Sequence, residues 1–80
     1  MRDKIYDFVK TNFIFDERKV LNDDDSLLGS GIIDSTGVLE LISFLEKEFS
    51  VTFEDKELVG ENFDSISKIV SLMRYKTNTL

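Results

Sequence analysis

Residues 34–49 read Asp-Ser-Thr-Gly-Val-Leu-Glu-Leu-Ile-Ser-Phe-Leu-Glu-Lys-Glu-Phe. Val38, Leu41, Ile42, Leu45 and Phe49 recur at helical spacing, so a helix here would carry one apolar face. Asp34 and Ser35 precede that face, and both belong to the residue types preferred at a helix N-cap, where a side-chain oxygen accepts an otherwise unpaired N–H. The spacing predicts a helix over about 35–49. Turning about 100° per residue places Thr36, Leu39, Glu40, Ser43 and Lys47 opposite the apolar face, with Phe44 at its edge.

Upstream, Ile5, Phe8, Val9 and Phe13 recur in the same way while Lys4, Asp7 and Lys10 fall elsewhere, which predicts a first amphipathic helix over about 2–13. Residues 14–34 have no sustained period. They hold Asn22, the run Asp23, Asp24, Asp25, then Ser26, and later Gly29, Ser30 and Gly31, all turn-favouring. A loop of that length is uncommon and usually functional. Its scattered Phe15, Val20, Leu21, Leu27, Leu28, Ile32 and Ile33 are expected to pin it across the helices.

Downstream, Val51, Thr52 and Phe53 suggest a brief extended segment, and 54–59 a short helix stopped by Gly60. Ile66, Ile69, Val70 and Met73 form the stripe of a last helix over about 65–75, capped by Asp64 or Ser65, with 77–80 as a frayed tail. The fold class expected is all-α: a small antiparallel bundle of three longer helices and one short one, with a long loop after the first. Eighty residues suit one domain over 1–80 with a single thin core.

Most chemistry is excluded by composition. There is no Cys, hence no disulfide or thiolate ligand, and no His, the usual general base and commonest metal ligand. Sixteen acidic residues against ten basic give a net charge of -6, which opposes nucleic acid and anionic lipid and suits basic protein partners. The longest apolar runs are short and Met1 is followed by Arg2, Asp3 and Lys4, so neither membrane insertion nor export is expected; the expected location is the cytoplasm.

Three motifs fail on inspection. Gly29-Ser30-Gly31 lacks the third glycine and the lysine of phosphate-binding loops. The run 23–25 has Leu27 where a calcium loop needs an oxygen ligand, and reads as a solvated turn. A nucleophile elbow around Ser35 would need glycine where Ile33 stands, and a histidine. What remains is a serine at the start of an acidic helix, where the dipole and unpaired N–H groups favour an added phosphate. Taken alone, such a serine is more often a plain N-cap.

The stretch Gly31-Ile32-Ile33-Asp34-Ser35-Thr36-Gly37-Val38-Leu39-Glu40-Leu41 resembles the Asp-Ser attachment motif of acyl and peptidyl carrier proteins. The ending Leu-Glu-Lys-Glu-Phe at 45–49 and the segment Asn62-Phe63-Asp64-Ser65-Ile66 resemble the same family in order and spacing, so the likeness covers nearly the whole chain. It departs from the family at Thr36, where many relatives have an apolar residue, and at Lys47, where many have an acid.

That resemblance implies a carrier without catalytic residues, of the freestanding bacterial type and expected to be a monomer. Its 4′-phosphopantetheine would be donated by coenzyme A and joined to Ser35 by a phosphopantetheinyl transferase, with Asp34 helping to present the serine. Cargo would ride as a thioester, loaded by an acyl- or aminoacyl-activating ligase and passed to downstream acyl-processing enzymes. The face bearing Thr36, Leu39, Glu40, Ser43 and Lys47 would meet those partners. The cargo stays open among fatty acyl, polyketide, amino acid and specialised lipid precursor. An unmodified acidic adaptor using Ser35 only as a cap is the alternative from another class.

Overall fold

The second helix is organised by its first turn. Asp34 takes an extended backbone, and its Oδ1 accepts the Gly37 N–H at 2.8 Å while its carbonyl accepts the Val38 N–H. Helix α2, Ser35–Phe49, follows directly and buries Gly37, Leu41 and Leu45. It ends at Ser50, whose left-handed backbone (φ 54, ψ 46) lets its N–H reach the Glu46 carbonyl. A computed structural model describes residues 1–77 and has two further α-helices: α1, Arg2–Phe13, and α3, Ile66–Thr77. Among the described residues there is no β-strand, and no helix is long and apolar enough to cross a membrane.

All three helices feed one core. Ile5 and Val9 of α1, Leu41 and Leu45 of α2, and Ile66, Ile69, Val70 and Met73 of α3 are buried together with Phe53 and Phe63. Phe63 is the largest fully buried side chain, and its ring meets Phe53 edge-on at 5.6 Å. Phe8 stacks on Phe44 at 4.1 Å between centroids, with Phe13 and Phe49 edge-on at either end. Phe44, half-buried at the edge of the apolar face, closes the α1–α2 seam.

The segment expected as a short helix over 54–59 takes another form. Asp55–Glu57 is a three-residue 3-10 turn, in which the Glu57 carboxylate accepts the Glu54 N–H at 2.8 Å. Leu58 then leaves the helical region, so the turn cannot lengthen. Gly60 does not stop a helix but begins a second 3-10 turn, Gly60–Phe63. The two turns fit a stretch too short for the cooperative gain of an α-helix. The Glu57 carboxylate also accepts from Lys76 Nζ at 2.7 Å, with both side chains nearly buried, which ties the first turn to the end of α3. Thr77, expected in a frayed tail, is the last residue of α3, and 78–80 lie outside the described residues.

Between α1 and α2 the chain runs through turns held by specific anchors. Leu21, Leu27 and Ile33 enter the core; Leu28 and Ile32 are half-buried. Phe15 and Val20 do not pin the loop: they are 85% and 74% exposed. They lie where the chain leaves α1 before Leu21 turns inward, so no helix passes over them. Arg2 grips Asp23 through Nε and a second guanidinium nitrogen, and the Asp23 carbonyl accepts the Ser67 N–H at 3.0 Å. Asp64 holds the middle of the loop, its Oδ1 accepting the Ser26 hydroxyl at 2.8 Å and the Leu28 N–H at 2.9 Å.

Candidate functional site

Ser35 is the first residue of α2 and is exposed. The cap role belongs to Asp34, so the Ser35 hydroxyl has no hydrogen-bond partner among the described residues. This removes the plain reading of Ser35 as an N-cap, and with it the version of an unmodified adaptor in which the serine serves only that purpose. The Ser35 and Thr36 N–H groups precede the first intrahelical bonds and meet no acceptor among the described residues. An exposed hydroxyl thus stands beside two unpaired donors at the positive end of a fifteen-residue helix, a setting that fits a serine-linked phosphodiester.

Gly37 keeps this turn in place. A Cβ there would lie 2.9 Å from Ile33 Cγ2 and 3.0 Å from Phe13 Cε1, so its absence lets the first turn of α2 approach the end of α1. The sequence expectation gave Gly37 a place in the attachment stretch but no packing role. The available signal was its position: glycine inside a helix costs about 1 kcal/mol relative to alanine, which calls for a packing reason.

The five residues expected to meet partners, Thr36, Leu39, Glu40, Ser43 and Lys47, are all exposed along one side of α2, and Leu39 is 66% exposed. None of them has a hydrogen bond or ion pair to another described side chain. The acidic run lies elsewhere and serves the fold. Asp23 is paired with Arg2, which holds its carboxyl below the ordinary carboxylate range, and Asp25 accepts the Asn22 N–H at 2.9 Å. Among the described residues no group of three or more potential metal-binding side chains gathers.

No family model matches the chain. Three curated relatives do. A D-alanyl carrier protein of Streptococcus suis (strain 98HAH33) is 31% identical over 71 residues, covering 89% of this chain and 87% of the relative. The D-alanyl carrier protein of Streptococcus suis strain 05ZYH33 is 30% identical over the same shares. The "Probable acyl carrier protein PigG" of Serratia sp. (strain ATCC 39006) is 26% identical over 74 residues, covering 92% of this chain and 85% of the relative.

Proposed function

This chain belongs to the carrier protein family, and from that premise we propose that it carries an acyl or aminoacyl group as a thioester on a phosphopantetheine arm joined to Ser35. The observation that carries the reading is the Ser35 hydroxyl: exposed, first in α2, and relieved of the cap role by Asp34. It is a carrier and not an enzyme, and its partners supply the catalysis.

In attachment, the Ser35 oxygen attacks the phosphorus on the pantetheine side of the coenzyme A diphosphate. The bond to the second phosphate breaks, and adenosine 3′,5′-bisphosphate leaves. The hydroxyl proton passes to a base of the transferase, since this chain has no histidine and no described group bonded to that hydroxyl. The unpaired Ser35 and Thr36 N–H groups and the helix dipole then favour the phosphodiester charge. Once joined, the phosphopantetheine supplies a terminal thiol that holds a carboxylic acid as a thioester. Asp34 fixes the first turn and so the direction in which the serine points.

The exposed side of α2, with Thr36, Leu39, Glu40, Ser43 and Lys47, is the face offered to the transferase, the activating ligase and the enzymes that take the cargo. The net charge of -6 suits basic surfaces on those partners. Two of the three relatives are D-alanyl carrier proteins, at 31% and 30% identity against 26% for the acyl carrier, and this favours an aminoacyl cargo as the finer reading.

Intact-protein mass spectrometry after incubation with coenzyme A and a broad-specificity transferase tests attachment. The wild type gains one phosphopantetheine, mapped to Ser35, and Ser35→Ala gains none. Loading of Ser35→Ala, or no adduct on the wild type with several transferases, overturns the reading. The mass of the hydroxylamine-labile group on protein purified from its host tests the cargo: a fatty acyl mass refutes the aminoacyl assignment alone.

A further inference from the structure

A cleft of about 330 Å³ opens beside Ser35, with both neighbours of the serine, Asp34 and Thr36, in its wall. Phe13, Phe15 and Ile32 form its apolar side, and Asn12 and Glu40 its polar side. Two features of this cleft are unexplained by the fold. Phe15 is 85% exposed and makes no ring contact with another aromatic among the described residues, although the other large side chains of its neighbourhood, Phe13, Ile14 and Ile32, pack against the core. In addition, while the Asp34 carboxylate in the wall is engaged by the Gly37 N–H, two side-chain polar groups there have unused capacity. Asn12 donates its side-chain N–H to the Phe8 carbonyl at 2.9 Å, leaving its carbonyl oxygen without a partner, and the Thr36 hydroxyl makes no hydrogen bond to a described residue.

We infer that this cleft is the resting site of the first part of the arm, the pantoyl segment next to the phosphodiester; the inference rests on the carrier reading above. That segment carries two geminal methyl groups, a hydroxyl and an amide. The methyl groups match Phe15, Phe13 and Ile32, whose apolar surface they would cover. The amide N–H matches the Asn12 oxygen, and the hydroxyl and amide carbonyl match Thr36 Oγ1. The cleft does not suit an anionic occupant, because the Asp34 and Glu40 carboxylates both line it. Its neutral, amide-bearing occupant is therefore the arm, tethered within reach by the bond to Ser35. The departure at Thr36 from the apolar residue of many relatives gains a use here, as a hydroxyl facing the arm.

The chain has no tryptophan, so Phe15→Trp introduces a single fluorophore at an exposed position. Apo and holo forms of this variant are compared after mass spectrometry has verified complete loading of Ser35. The holo form is expected to emit at shorter wavelength and to be quenched less by acrylamide. Val20→Trp, in the same loop but outside the cleft, is expected to give equal spectra in the two forms. In the wild-type holo protein, NMR cross-peaks are expected between the geminal methyl protons and the Phe13 and Phe15 rings, and their loss is expected in Phe15→Ser. Complete loading with unchanged Phe15→Trp emission and no such cross-peaks overturns the inference and leaves the carrier function standing. Failure of Ser35 to load removes both.

Discussion

Asp34→Ala and Ser35→Ala, one residue apart, are expected to have opposite consequences. The Asp34 carboxylate accepts the Gly37 N–H at 2.8 Å, whereas the Ser35 hydroxyl accepts and donates nothing within the described chain. Removing a side-chain N-cap costs about 1 kcal/mol, while a surface substitution that breaks no such contact stays within about 0.5 kcal/mol. At roughly 2.1 cal/mol/K per residue, the unfolding entropy of 80 residues is about 0.17 kcal/mol/K, so Asp34→Ala should lower Tm by about 6 °C and Ser35→Ala by less than about 3 °C. Asp34→Asn, which keeps an accepting oxygen, should stay close to wild type. Thermal unfolding of the apo proteins followed by far-UV circular dichroism reads these shifts, and mass spectrometry reads loading on the same samples. Ser35→Ala should be folded and unloadable. A Tm loss for Ser35→Ala equal to that of Asp34→Ala would refute the assignment of the cap to Asp34, and with it the claim that the serine is held ready for modification.

Two further outcomes follow from the geometry. Ser50 holds a left-handed backbone (φ 54) that costs a non-glycine residue roughly 1–2 kcal/mol, partly offset in a glycine variant by the larger entropy of its unfolded chain. Ser50→Gly should therefore raise stability by about 0.5–1 kcal/mol, read as a higher urea midpoint at unchanged slope; a lower midpoint would contradict the backbone conformation. The Asp64 carboxyl is held below the ordinary aspartate range first by the Leu28 N–H and then by the Ser26 hydroxyl, against the opposing effect of burial. Its charged form is thus favoured in the folded state, so the stability it contributes is complete above the unfolded value of about 3.9 and disappears as pH falls through the lower folded value. Urea midpoints measured from neutral to acid pH should drop on that limb, and Asp64→Asn should flatten the drop; an unchanged acid limb in the variant would sink the assignment.

How much of this was legible in the sequence depends on periodicity. Ile5 and Val9, Leu41 and Leu45, and Ile66, Ile69, Val70 and Met73 follow helical spacing, and all of them are buried. Phe15 and Val20 are as apolar as Leu21 and Leu27, but loop burial follows the path of the backbone over the helices, which no local pattern records. The 54–59 segment has too few residues to display a period, so two 3-10 turns could not be told from a short helix. At the candidate site, the serine and its exposed helix face were readable. The owner of the cap was not, because Asp34 and Ser35 are equally good cap residues and helix starts are uncertain by one or two positions.

The chain contains the dipeptide Asp-Ser three times, and the two copies that stand at α-helix starts work in opposite ways. At 34–35 the aspartate caps α2 and the serine, one step inside the helix, turns an unbonded hydroxyl to solvent. At 64–65 the order of duties is reversed: Ser65 Oγ accepts the Lys68 N–H at 3.1 Å, the serine is buried, and Asp64 is released to bind Ser26 and Leu28. A shift of one residue in the start of the helix therefore decides which member of the pair is available, and only the first copy leaves a hydroxyl that a transferase could reach. The second copy supports the first, since the loop that Asp64 holds runs on to Ile33, whose burial fixes the chain immediately before Asp34. The dipeptide alone does not make an attachment site; the register of the helix that follows it does.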